Sequence, residues 1–128
     1  MDMTLTTRLA HIGGVLTLAL GLAGLFAPGL VARFLSITPV GRLGVSEIRA
    51  TWGGLFLAMG VTVLLARDTT LFALVGVAWV GAAAGRSISW WYDRSREQRN
   101  LLAIGVELVL GYLLLAPIIA IWWRGLLA

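Results

Sequence analysis

Four apolar runs, over 9–27, 46–66, 69–91 and 101–123, fill most of the chain, and arginine, aspartate, glycine or proline returns between them. Each run is close to the roughly 20 residues that a helix needs to cross a hydrocarbon core. Membrane-spanning strands would instead alternate polar and apolar positions over segments of about 10 residues and close into a barrel. These runs are continuous, rich in Leu and Ala, and too few to close. The pattern therefore predicts an all-α integral membrane protein, a four-helix transmembrane bundle forming one domain over residues 1–128.

The connections refine this expectation. In "PGLVARFLSITPVGRLG", Leu30, Val31, Phe34 and Leu35 recur at helical spacing around Arg33, and Pro39 and Gly41 follow. That predicts either a short interfacial helix between spans 1 and 2 or an apolar loop packed on the bundle. The Arg67–Thr70 turn is tight, which makes the second and third spans antiparallel neighbours, with Asp68 or Thr69 as N-cap. Trp90, Trp91, Trp122 and Trp123 fall at span ends, where indoles anchor at headgroup level. Arg8 ahead of an apolar segment has the form of a secretory leader, but the first run is read as a retained span.

Composition agrees with the pattern: 59% of the 128 residues are hydrophobic and 12% charged, far from the roughly 25% charged of soluble domains. The net charge of +4 comes from arginine alone, since lysine is absent. These arginines are scattered through short connections rather than massed on one face, which argues against nucleic acid as a partner. With no cysteine and a single histidine, His11, the sequence offers no thiol chemistry and no histidine-based metal cluster, and no metal or cofactor is expected.

Arg33, Arg42, Arg94, Arg96 and Arg99 lie in the two long links, flanked by Arg49 and Arg86, against Arg8, Arg67 and Arg124 on the other side. Seven against three, or five against three without the flanking pair, places both links in the cytoplasm and both termini outside.

Small residues predict where helices meet. "GAAAG", Gly81 to Gly85, has the GxxxG spacing that lets backbones approach, as do Gly53, Gly54 and Gly60 on the second span and Gly13, Gly14, Gly21 and Gly24 on the first. Packing inside the chain is the simpler expectation, and a homodimer seam at Gly81 and Gly85 is the sharper one.

The charges inside the runs are the remaining handle on function. At about 1.5 Å per residue, Arg49 lies roughly 10 Å to the cytoplasmic side of its span's middle, Arg86 roughly 9 Å and Glu107 roughly 8 Å, with Glu47 slightly shallower. Two acids and two arginines on three spans thus share one depth and sum to zero. Charges at such depth pair inside a bundle or line a wet cavity. Glu47 and Arg49, two residues apart, must look at different neighbours. The pairs expected are Glu47 with Arg86 and Arg49 with Glu107, the exchanged pairing being nearly as good. Arg49 shares its face with Gly53, Phe56 and Gly60, a groove able to receive the fourth span, and Glu107 shares its own with Gly111. The layer has four uses to choose between: ion pairs that fix helix register, a polar cavity holding a lipid headgroup or small anion between Arg49 and Arg86, proton- or ion-coupled transport through Glu107, and, last, an enzyme. His11 lies near the outer end of the first span, too far to act as a relay, and is read as an interfacial histidine.

The run "GVSEIRATWGGLFLAMG", followed by "AGRSISWWYD" and an acid in the last span, resembles the bacterial family known as domain of unknown function (DUF) family 4345 over its whole length. The resemblance implies that Glu47, Arg49, Ala50, Gly53, Gly54, Gly85, Arg86 and Asp93 occupy patterned positions, with Glu107 matching less specifically. After Asp93 the family tends to have glycine, where this chain has Arg94. A looser likeness is to DoxX-type four-span proteins, some linked to membrane redox complexes.

Together these features predict a non-enzymatic accessory or interaction subunit of the bacterial inner membrane, partnered by the lipid bilayer and by a larger complex or a second copy. The alternative is a small transporter or a lipid-headgroup or small-anion binder using Arg49, Arg86 and Glu107, with Glu47 and Asp93 nearby.

Overall fold

The computed structural model describes residues 2–65 and 68–126. Ala66 and Arg67, which end the second run and open the expected tight turn, lie outside the described residues. Helices are the only regular elements described: α1 Met3–Phe26, α2 Pro28–Phe34, α3 Gly41–Ile48, a π-helical segment Arg49–Leu55, α4 Phe56–Leu65, α5 Thr69–Tyr92 and α6 Gln98–Leu126. Taken as one helix, Gly41–Leu65 joins Met3–Phe26, Thr69–Tyr92 and Gln98–Leu126 as four helices long and apolar enough to cross a membrane. The architecture is that of an all-α, multi-pass membrane protein. Helix is the natural outcome, because lipid offers no partner for backbone N–H and C=O groups and a helix satisfies them within itself. Thr6 and Thr7 donate to Met3 O, and Ser87 to Ala83 O, so these hydroxyls too are satisfied along their own helices.

The helices outrun the apolar runs at several ends. The second begins at Gly41, where the apolar run begins at 46, and the fourth extends from Gln98 to Leu126. Amphipathic turns continue a helix beyond the hydrocarbon core without cost once the apolar part has nucleated it. Asp68 is the N-cap of α5, its side chain accepting from the Thr70 N–H at 2.9 Å. Pro117 is fully buried within α6, which runs on through it to Leu126.

By internal packing the chain divides into two compact units, residues 14–65, and residues 1–13 with 66–128. In the first unit, glycines bring helices close together. A side chain at Gly60 would meet Leu18 N at 2.6 Å, one at Gly53 would meet the Leu25 side chain at 2.8 Å, and Gly21 and Gly24 press on the backbones of Leu57 and Trp52. The groove of Gly53 and Gly60, expected to receive the fourth span, is thus filled by α1. Val31, Ala32 and Ile48 form a small buried cluster with Ala23, Leu35 and Trp52. The link therefore does contain a short helix, and its Val31–Ala32 edge packs on the rest of the unit while Leu30 and Phe34 are exposed. It stops in a Schellman turn: Ser36 takes φ 58°, its N–H donates to Arg33 O, and the Ile37 N–H donates to Ala32 O. Gly41, at φ 60° and the start of the next helix, is where only glycine is unstrained.

In the second unit α5 and α6 form an antiparallel hairpin around a short link, 93–97, and the N-terminal part of α1 packs with them. Gly13 lies against Leu113 and Leu114. His11 meets Phe72 edge to face with ring centroids 5.5 Å apart.

Candidate functional site

The candidate site is on the α5–α6 hairpin. Arg86 lies six residues before the end of α5 at Tyr92, and Glu107 nine residues after the start of α6 at Gln98. Because the short link makes the helices antiparallel neighbours, both residues come to nearly the same level, well inside their apolar segments. Arg86 Nε donates to Glu107 Oε1 at 2.6 Å. Glu107 is 4% exposed, whereas the Arg86 side chain keeps 27% of its surface. A carboxylate this deep in an apolar segment would cost several kcal/mol if left alone, which is why it carries an arginine with it.

The pairing is incomplete. A carboxylate can accept two parallel bonds from a guanidinium, but here contact is made through Nε alone, and Glu107 Oε2 is buried with no hydrogen-bond partner among the described residues. An unsatisfied buried acceptor costs about 1–3 kcal/mol, and more when charged. A pair that served only to set helix register would do better with both oxygens satisfied.

The other members of the expected charge layer stand differently. Glu47, at the end of α3, and Arg49, at the start of the π-helical segment, are both exposed, and Arg86 pairs with Glu107 within the hairpin, which is one half of the exchanged pairing. The physical reason is Ile48, which is 3% exposed in its cluster with Val31 and Ala32. Neighbouring residues on a helix are about 100° apart, so burying Ile48 turns Glu47 and Arg49 outward on either side. Asp93 is the exposed C-cap of α5, its N–H bonded to Ser89 O, and lies in the link rather than beside the pair. Arg94 follows at φ 56°, the left-handed conformation that glycine adopts most easily.

Among the glycines, Gly53 and Gly60 sit at helix contacts, and Gly54 meets only Arg49 O of its own helix at 3.8 Å. Gly81 and Gly85 have no heavy atom within 4 Å of where a side chain would start, so their edge of "GAAAG" is open, while Ala83 between them is buried. Close approach on this hairpin falls instead to Gly76 and Gly111, which the GxxxG spacing did not single out. The signal for Gly111 was its position four residues after Glu107, on the same face. Gly76 gave no signal, since its partner is on the other helix.

In the link, the Ser95 hydroxyl donates to Glu97 Oε2 at 2.9 Å, and Asn100 Nδ2 donates to Ser95 O at 3.0 Å. The Glu97 backbone N–H and the Ser95 hydroxyl hold the exposed Glu97 carboxyl below its ordinary pKa.

No curated protein and no solved structure matches the chain. A family model does match, over residues 6–117, a stretch that enters all four long helices and contains the Arg86–Glu107 pair, and on that match the chain belongs to the family described as domain of unknown function (DUF4345).

Proposed function

We propose that the protein is a non-enzymatic accessory or interaction subunit of the bacterial inner membrane, with the α5–α6 hairpin as its ion-pair-locked core. The observation that supports this is the Arg86–Glu107 pair, which neutralises two charges inside an apolar hairpin. Around it the hairpin displays Leu74, Val77, Ile88, Leu102 and Val109, an apolar surface suited to hydrocarbon or to another membrane subunit. The sequence brings no thiol and one histidine, and that histidine is engaged with Phe72.

A second reading is a binding or transport site at the pair, and the unpartnered Glu107 Oε2 is the observation that favours it. A double-mutant cycle separates the two. Arg86→Gln or Glu107→Gln alone strands one buried charge and costs about 3–5 kcal/mol, while the double variant loses much less. If the pair is only a lock, the double variant recovers thermal stability and cellular function together. If it is a site, stability returns without function. Additive, harmless single substitutions would remove the pair from either account.

A further inference from the structure

Glu47 and Arg49 are exposed, and neither side chain has an ion pair or hydrogen bond among the described residues. The membrane helix Gly41–Leu65 is centred on Gly53, which puts Glu47 about 9 Å and Arg49 about 6 Å from its middle, inside a hydrocarbon half-thickness of roughly 15 Å. Charges turned to lipid at that depth are costly and call for partners of opposite sign. Glu47 and Arg49 cannot answer each other, because buried Ile48 stands between them and turns them to opposite sides of the helix.

The face between the two charges is open. Residues two apart are about 200° apart around a helix, so Ser46 and Ala50, on either side of Ile48, and Ala58 and Thr62, on either side of buried Gly60, all lie on the far side, and all four are exposed. Gly54 between them meets only Arg49 O of its own helix. A step of four turns an α-helix by about 40°, but the wider turns of Arg49–Leu55 advance less per residue and take back part of that drift. Another backbone can therefore approach along this face.

The charges say which backbone. Glu47 borders the face on one edge and Arg49 on the other. A twofold axis along the membrane normal sets the left edge of one helix against the right edge of its copy, so each Glu47 meets the partner's Arg49, about 3 Å away in depth. A second copy, inserted the same way, brings both opposite charges to the matching depth by symmetry. An anionic headgroup would answer Arg49 and leave Glu47 alone. The open edge at Gly81 and Gly85 has no such mark, since Arg86 beside it is already paired within its hairpin. We infer that the protein forms a parallel homodimer through the outer face of Gly41–Leu65, closed by two reciprocal Glu47–Arg49 pairs. This goes beyond the reading above and holds whether Arg86–Glu107 is a lock or a site.

The test combines oxidative crosslinking of single cysteines in native membranes, which the cysteine-free chain allows, with energy transfer between labelled copies of the full chain diluted into phosphatidylcholine vesicles. Ala50→Cys and Ala58→Cys are expected to crosslink to dimers, and Gly81→Cys and Gly85→Cys to stay monomeric. Glu47→Arg and Arg49→Glu set like charges against each other and should each weaken association about tenfold or more, whereas the double exchange restores opposite signs and should return it to within about threefold of wild type. If an exchanged chain fails to fold, the crosslinking series decides alone. Crosslinks at Gly81 and Gly85 in place of Ala50 and Ala58, or copies that stay monomeric at every dilution, overturn the interface. Single exchanges without effect, or a double exchange no better than either single, overturn the reciprocal pairs. None of these results bears on the double-mutant cycle of Arg86 and Glu107, so the two accounts fail separately.

Discussion

Gly76 of α5 and Gly111 of α6 face each other so closely that a side chain begun on either would meet the other's carbonyl oxygen, at 3.2 Å from Gly76 and 3.3 Å from Gly111. This approach, reinforced by Leu115 beside Gly76 and Val80 beside Gly111, holds the hairpin together four residues from the buried Glu107. Gly76→Leu and Gly111→Leu are expected to destabilise by about 1–3 kcal/mol or more, because the backbones must part. Gly81→Leu and Gly85→Leu, on the open face, should leave the folded monomer intact. Thermal unfolding of the four variants in one detergent checks the contrast, and equal losses at all four would contradict it.

Arg94 holds a left-handed backbone, which costs a side-chain-bearing residue roughly 1–2 kcal/mol. Arg94→Gly should therefore raise stability, by up to about 1 kcal/mol once the greater freedom of glycine in the unfolded chain is subtracted. A lowered melting temperature would show that the Arg94 side chain contributes more than its conformation costs.

Glu97 gives a pH dependence whose sign is fixed by the direction of its shift. Its folded pKa is depressed by the Glu97 backbone N–H and the Ser95 hydroxyl, so its contribution to stability is present above the ordinary carboxylate pKa and fades as pH falls through the lower folded value. Carbon-13 NMR of the Glu97 carboxyl should find its midpoint below the usual glutamate range. Ser95→Ala should move that midpoint upward, and an unmoved midpoint would assign the shift to the backbone alone.

Arginine distribution predicts that the termini face outward and the 93–97 link inward. The native chain contains no cysteine, so single substitutions report cleanly. Thr4→Cys should react with an impermeant maleimide in intact cells, and Gln98→Cys only after permeabilisation. The opposite pattern reverses the orientation.

The sequence displayed its helices plainly because each apolar run is long enough to need no neighbour for its definition, and because Asp68 announces a helix start by its chemistry alone. Ion-pair partners were harder to read. Depth along a helix follows from counting residues, but which way a residue points depends on what its neighbours bury. Ile48 decides the outward turn of Glu47 and Arg49, and nothing in "SEIRA" ranks an isoleucine buried by a short helix above two charges at membrane depth. The glycines make the same point. Gly81 and Gly85 have the spacing of a contact and stand open, while Gly76 and Gly111 make a contact across two helices that no spacing within one helix can encode.

The π-helical segment Arg49–Leu55 gives the second membrane helix one residue of slack. In an α-helix, deleting a residue rotates everything downstream by about 100° and turns the buried face to lipid. A deletion within Arg49–Leu55 would instead let the wide turn tighten to α geometry, leaving Gly60 and Val63 still directed at their partners on α1. Length variation in this chain should thus be absorbed at "RATWGGL" and nowhere along α5, which makes the segment both the place where the helix could have lengthened by insertion and the place where it can be shortened again.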